Sequence, residues 1–293
     1  MFRPRPAQER VLRWRGGYMG VAAVPGSGKT QTLSTLAADL VAARIGDDEE
    51  VLIVTLVNSA VGNFSSRIAA ELKGRGMPSR FGYRVRTLHG LAHDIVRERP
   101  GLVGLADDFS IVDERTAGQI LDDAVTTWLR THPDFVSGYL RDDLEGGSLA
   151  RARTDFWPDD CREMVAASVA RAKDERLRPE MLLSQLSLRG SEFALARLAA
   201  DAYADYQRSL AYRGAVDFAD LVGYAIDALR QDPDYLARLR LRWPYILEDE
   251  AQDSSVLQQD LLELLAGPDG NWVRVGDANQ AVYQTFTTAN PEL

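Results

Sequence analysis

The sequence predicts an α/β fold: a parallel β-sheet flanked by helices, carrying an all-helical inserted subdomain. Three observations predict it. Short apolar runs alternate with helix-patterned segments toward both ends of the chain, and the middle carries helical patterning only. The first apolar run also meets a glycine-rich stretch, AAVPGSGKT at 22 to 30, that opens directly onto a helical pattern.

The elements follow in order. GYMGVAAV (17 to 24) is apolar almost throughout and reads as a short buried strand. In TQTLSTLAADLVAARI (30 to 45), Leu33, Leu36, Ala37, Leu40 and Val41 share a helical face, and Gly46 with DDEE ends it. VLIVTLV (51 to 57) is a second, β-branched run, and NSAVGNFSSRIAAELKGRG (58 to 76) is helix-like up to its glycines. RVRTLHG (84 to 90) reads as a strand ending in a loop, followed by a helix from Leu91 to Arg97. From Asp113 to Arg213 the patterning is helical, with loops expected near 132 to 135, 145 to 147 and 157 to 160. Strand patterns return at WPYILEDE (243 to 250) and NWVRVGD (271 to 277). The expected division is a sheet domain of 1–114 with 194–293, and a helical insertion of 115–193.

Composition narrows the class. Hydrophobic residues make up 45% and charged residues 26% of 293, which excludes a disordered, collagen-like or disulfide-scaffold chain. No apolar stretch approaches the roughly 20 residues of a membrane span, and MFRPRPAQER lacks the apolar core of a secretory signal. The single cysteine, Cys161, has no internal partner and reads as a buried thiol, so a cytoplasmic setting is expected. A net charge of -9 gives the whole surface no attraction for polyanions, so any nucleic-acid contact must be local. Arg3, Arg5, Arg10, Arg13 and Arg15 form one candidate patch, and Arg80, Arg84 and Arg86 with Phe81 and Tyr83 form another. Taken alone, each is more often a solvated face than a binding track. His132 and Trp157 read as fold residues.

The glycine-rich stretch carries the first chemistry. Gly26 and Gly28 let the backbone wrap phosphates and present N–H groups at a helix N-terminus. Lys29 reaches the β- and γ-phosphates, and the Thr30 hydroxyl binds Mg²⁺. Only three of the 34 basic residues are lysine, and one of the three stands in this loop, where a compact ammonium fits between phosphate oxygens better than a planar guanidinium. The usual pattern G-x-x-x-x-G-K-[ST] has glycine where this chain has Ala23. A second element is YILEDEAQD, where Glu248, Asp249 and Glu250 arrive together at a strand end. Asp249 is placed to hold Mg²⁺ through water, and Glu250 to orient or deprotonate the attacking water. A third is VGDANQAVY (275 to 283), whose Gln280 is placed to bond the γ-phosphate or that water.

The set resembles the UvrD/Rep/PcrA branch of superfamily-one DNA helicases. That family's first motif reads A-x-x-G-x-G-K-T and matches residues 23 to 30, so Ala23 is the family form. D-E-x-Q-D is matched by Asp249, Glu250, Gln252 and Asp253, and G-D-x-x-Q followed by tyrosine by Gly276, Asp277, Gln280 and Tyr283. PAQERVL resembles the glutamine motif, VTLVNSA retains Thr55, Asn58 and Ala60 of the next, TLHG supplies Thr87 and His89, and VDFADLV supplies Asp217, Phe218, Asp220 and Leu221. Without the resemblance, that last segment reads as a helix start with Asp217 capping and Phe218 packing inward.

The resemblance implies a P-loop NTPase (RecA-like) motor domain binding ATP and Mg²⁺, with the helical insertion corresponding to the family's 1B subdomain. Nucleotide contacts would come from Gln8, reading adenine, and from Ala23, Val24, Pro25, Gly26, Ser27, Gly28, Lys29, Thr30 and Gln31. Lys29, Asp249, Glu250 and Gln280 would carry the catalysis. Single-stranded or partly duplex DNA would cross Asn58, Thr87, His89, Tyr283 and Phe286, with movement 3′ to 5′. Departures fall on that track: Leu56 and Ser59 replace a family aromatic and lysine, and Gln284-Thr285-Phe286 displaces an aromatic and omits an arginine. A second motor domain that supplies arginines to the ATP site is also implied, so the chain is expected to be the N-terminal part of a longer protein, weakly active alone. The motor part of a helicase-nuclease and a nucleotide-switched binding module are the competing readings.

Overall fold

A computed structural model describes residues 3–44, 46, 48–135, 139, 146–188 and 193–277. Five strands form where the apolar runs fall, and two short ones, the fourth and fifth, form outside those runs: β1 (Tyr18–Ala22), β2 (Val51–Thr55), β3 (Tyr83–Thr87), β4 (Ser110–Ile111), β5 (Ala215–Val216), β6 (Tyr245–Asp249) and β7 (Trp272–Gly276). Five of them pair in parallel in the order β1, β7, β6, β2, β3. The helices are α1 (Pro6–Leu12), α2 (Lys29–Arg44), α3 (Asn58–Gly74), α4 (Leu88–Glu98), α5 (Glu114–Thr131), α6 (Gly146–Arg151), α7 (Trp157–Asp174), α8 (Pro179–Ser187), α9 (Ala194–Tyr212), α10 (Phe218–Gln231), α11 (Pro233–Arg242) and α12 (Val256–Ala266). The chain divides into two compact units, Met1–Gly104 with Tyr224–Leu293, and Leu105–Gly223.

In the first unit the interior strands β2 and β6 are buried at every residue, as a parallel sheet covered on both faces requires. On one face, Leu33, Leu36, Ala37 and Leu40 of α2 and Phe64, Ile68 and Leu72 of α3 close over Val51, Ile53, Leu247 and Val273. The buried set of α4, Leu88, Leu91, Ala92, Ile95 and Val96, repeats at helical spacing and marks its core-facing stripe. The strand at 17 to 24, expected to be buried, is shorter and more open. β1 is an edge strand paired only with β7, and Tyr18 is 49% exposed.

Two boundaries differ from the pattern-based reading. The helix after β3 starts at Leu88, three residues early, because the Thr87 hydroxyl accepts the Gly90 N–H at 3.1 Å and caps it, which places His89 inside the helix. Residues 157 to 160, expected as a loop, open α7, with Pro158 in the first turn where its missing N–H costs nothing.

The second unit is wider than 115–193. α9, expected with the sheet, contributes Leu198, Ala202, Tyr203, Tyr206 and Leu210 to one core with Ile120, Val125 and Trp128 of α5 and Cys161 and Val165 of α7. β4 and β5 also pair with each other here. Burial pushes the Cys161 thiol up to about 11, which suits an inert core residue. His132 stacks on Trp128 at 3.9 Å, as a fold residue does. Asp217 caps α10 by accepting the Asp220 N–H at 2.8 Å. Its other oxygen and Asp220 enclose the ammonium of Lys173, which is 7% exposed as a residue.

Candidate active site

Because the five sheet strands of the first unit run in parallel, their carboxyl ends share one edge. The register sets Ala22 beside Gly276, Asp249 beside Val275 and Thr55 beside Thr87, so the residues that follow each strand gather there. Open α/β sheets bind ligands at this edge.

The loop between β1 and α2 is built for close backbone approach. Gly26 and Gly28 have φ of +69° and +88°, the left-handed region that glycine enters without strain. The Ala23 N–H donates to the Gly276 carbonyl at 2.8 Å and ties the start of the loop to the end of β7. α2 begins at Lys29 with no acidic residue in its first turn, leaving its unpaired N–H groups and positive dipole end toward the loop. The Ser27 hydroxyl is buried with no partner. A buried orphan in a loop of this kind fits a phosphate oxygen.

Gln8, on α1, is brought to this loop. Its amide donates to the Ser27 carbonyl at 2.8 Å and accepts the Arg5 N–H at 2.8 Å. A Cβ on Gly28 would meet the Gln8 nitrogen at 3.0 Å, so the glutamine lies directly against the glycine. Gln31 turns the other way. It donates to Glu71 at 3.2 Å and accepts from Arg67 at 2.7 Å, both on α3.

Across from the loop stand the acids that end β6. The Lys29 ammonium pairs with Glu250 Oε2. Asp249 is 5% exposed, and its Oδ1 has no partner. Burial and the neighbouring Glu250 carboxylate push Asp249 up to about 6, against the lowering effect of Lys29. Glu250 itself sits at φ +56°, a left-handed conformation rare outside glycine, which turns its carboxylate toward the lysine. A buried carboxylate with a spare oxygen suits Mg²⁺, which takes one or two protein carboxylates and completes its shell with water and phosphate. The residues present therefore fit that ion. The third acid, Glu248, is not part of a solvated acidic turn. It lies inside the sheet, paired with Arg274 at 2.9 Å and accepting the Ser254 hydroxyl at 2.7 Å, and burial raises it in spite of the arginine.

Gln252 links two strand ends. It donates to Glu250 at 3.0 Å and to Asp253 at 3.0 Å, and accepts the Asp277 N–H at 2.9 Å. Motif matching names this glutamine without giving it a task. The signal in the sequence is the glycine at 276: a Cβ there would come within 2.5 Å of Gln252 Oε1.

The residues expected along a DNA track are less gathered. Asn58 is exposed at the start of α3, Thr87 spends its hydroxyl capping α4, and half-buried His89 lies 3.3 Å from the Gln258 amide. Gln280, Tyr283 and Phe286 lie outside the described residues. Of the arginine patch at 80 to 86, Arg84 pairs with Glu50 at 2.9 Å and Arg86 with Asp94 at 2.7 Å, so much of its charge is answered locally. No described helix is long and apolar enough to cross a membrane.

Known proteins bear on this geometry. The chain is 28% identical over 289 residues to the ATP-dependent DNA helicase UvrD1 of Mycobacterium leprae, an alignment covering 95% of this chain and 33% of the relative. It is 29% identical over 276 residues to the ATP-dependent DNA helicase PcrA of Leuconostoc citreum, covering 94% and 32%. It is 27% identical over 276 residues to DNA helicase II of Haemophilus influenzae, covering 94% and 34%. The chain thus spans about a third of the length of these curated relatives. The family model described as UvrD/REP helicase N-terminal domain matches residues 5–293, a span that takes in both units and every motif of the sheet edge, and the chain belongs to that family.

Proposed function

We propose that this chain is the ATP-binding first half of an ATP-dependent DNA helicase motor, acting in the cytoplasm on single-stranded or partly duplex DNA in replication, repair or recombination. The observation that carries the reading is the meeting of Lys29 with Glu250, with the unpartnered Asp249 oxygen beside them. An ammonium held by a carboxylate at a phosphate-binding loop is released when phosphate oxygens compete for it. Lys29 then contacts the β- and γ-phosphates, and Glu250 is free to orient or deprotonate the attacking water. Thr30 and Asp249 would hold Mg²⁺, which would supply neutralisation of negative charge. Gln8 reads the adenine and Gln280 the γ-phosphate or the water. The names of the relatives support ATP and DNA as the ligands. A second motor domain would close on the nucleotide and add arginines, a contribution of roughly 10³ to 10⁵ in rate in other NTPases. Opening and closing would step the strand 3′ to 5′ across Asn58, Thr87, His89, Tyr283 and Phe286.

Two titrations test this. Binding of a fluorescent ATP analogue with Mg²⁺ is expected for the wild-type chain and weakened about 100-fold in Lys29→Ala, the scale of a lost charged phosphate contact of roughly 3 kcal/mol. Affinity for a single-stranded oligonucleotide is expected to change severalfold on adding a non-hydrolysable ATP analogue. A chain that ignores the nucleotide, or whose DNA affinity is indifferent to it, overturns the motor reading.

A further inference from the structure

We propose that Gln252 is the positioning residue that holds the Glu250 carboxylate, by tying it to the end of β7. The proposal rests on the reading of this edge as an ATP site. Three observations support it. The side chain of Gln252 is the one bridge the described residues show between the Glu250 carboxylate, at 3.0 Å, and the Asp277 N–H, at 2.9 Å. The residue is 2% exposed, so the amide itself is turned to protein groups rather than to water. Space has also been kept for it: Gly276 does not need glycine for its φ, yet a Cβ there would come within 2.5 Å of Gln252 Oε1 and 3.0 Å of its backbone nitrogen.

The chemistry requires an amide. A primary amide donates and accepts at once, whereas glutamate has no donor and methionine has neither strong group. Lys29 and Gln252 both donate to the same oxygen, Glu250 Oε2. When phosphates draw Lys29 away, the amide is the donor that stays. It then keeps the carboxylate aimed from a backbone whose left-handed φ of +56° is unfavourable outside glycine and must be held by its surroundings. The other end of the same amide fixes the backbone N–H of Asp277 at 2.9 Å.

The test separates binding from turnover in this chain. Gln252→Glu is nearly isosteric and keeps the acceptor for Asp277, but it loses the donor to Glu250 and sets a like charge against it. Gln252→Met removes both, and Gly276→Ala pushes the amide away without altering it. Affinity for the fluorescent ATP analogue with Mg²⁺ is expected to stay within about threefold of wild type. Single-turnover hydrolysis, with chain in excess over ATP, is expected to fall about 10- to 100-fold in all three, as a misplaced reacting group does. Gly276→Ala combined with Gln252→Met should add little to either alone, because both break the same contact. Melting temperatures identify any variant that fails to fold, and the uncharged methionine variant, of similar size, keeps the test alive in that case. Variants that hydrolyse at the wild-type rate, or whose rates fall only in step with affinity, overturn the proposal. So does a wild-type chain that binds Mg-ATP but shows no single turnover, since Gln252 then positions nothing reactive. A wild-type chain that does not bind Mg-ATP defeats the ATP reading itself and takes the proposal with it.

Discussion

Two of the chain's lysines meet carboxylates, and the two settings differ in what is left unpaired. In the helical unit, Lys173 lies between Asp217 and Asp220, with Tyr206 donating to Asp217 at 2.5 Å, Gln207 donating to Asp220 at 3.0 Å, and the Asp220 N–H donating to Asp217 at 2.8 Å. Each of those four carboxylate oxygens has a donor. At the sheet edge, Lys29 meets Glu250 beside Asp249, and Asp249 Oδ1 has none. Glu250 also holds a left-handed backbone, and the Lys29–Glu250 pair is open to solvent on the Glu250 side, 38% exposed. The same residue types thus make a closed structural knot in one place and an open, strained set in the other. A buried carboxylate oxygen without a donor, beside a phosphate-type loop, is a position that a ligand can complete.

The contrast is broken most severely by removing each lysine. Lys173→Ala leaves two buried carboxylates without their cation, which is expected to cost about 3–5 kcal/mol of stability, read as a lower urea midpoint. Lys29→Ala is expected to change stability by under about 1 kcal/mol, since water reaches Glu250, while removing nucleotide affinity. If Lys173→Ala melts like wild type, the helical cluster is not the knot described. If Lys29→Ala unfolds the chain, the sheet-edge pair is structural after all.

Next in size is the charge on Asp249. Its folded value is raised from 3.8 to about 6, so the fold disfavours the charge. The sign follows from linkage: a raised carboxylate gives stability that is fully present below about pH 4 and lost as pH rises through about 6. Asp249→Asn is therefore expected to stabilise the nucleotide-free chain at pH 7.5 by roughly 1–3 kcal/mol, and to do nothing near pH 4. Urea titrations at the two pH values read it directly. An Asp249→Asn variant less stable than wild type at pH 7.5 would sink the claim that this carboxylate is held for a ligand at the expense of the fold.

Much of this edge is legible in the sequence because its signals are local. The strand-loop-helix at AAVPGSGKT needs only a short apolar run, two glycines and a lysine, and the acids at 249 and 250 follow directly on an apolar run. What is not legible depends on neighbours far along the chain. Glu248 and Asp249 are adjacent, yet one is spent on Arg274 and Ser254 and the other is left open, which the alternation of side chains along β6 decides. Gln31 follows the loop but belongs to α3, because its helical position faces Arg67 and Glu71. The arginines at 84 and 86 read as a patch until β3 is set beside Glu50 and Asp94. The extent of the helical unit is also hidden: α9 has a helical stripe whichever core it faces, and only packing assigns it to α5 and α7. Asp217 reads as a cap from its own sequence, and it is one. Its tie to Lys173, 44 residues away, has no local signal.

The smallest effect distinguishes the two aspartates of that tie. Burial pushes Asp217 up, but Lys173 and the capping N–H outweigh it and hold the carboxyl below its ordinary range. Burial raises Asp220, and the nearby Asp217 carboxylate adds to this against the pull of Lys173. Asp217 is therefore the acid whose charge the fold favours, and Asp220 the one whose charge it resists. The Asp217 contribution is present above about pH 4 and lost as pH falls through its depressed value, whereas Asp220 has the opposite sign. Asp220→Asn removes a charge the fold already resists, and is expected to change stability at pH 7, read from the urea midpoint, by under about 0.5 kcal/mol. Asp217→Asn keeps the cap's oxygen but leaves Lys173 with the disfavoured charge of Asp220, and is expected to cost about 1 kcal/mol more. Equal effects would mean that the two carboxylates share the ammonium evenly. The knot would then owe its stability to the set of donors around it rather than to one ion pair.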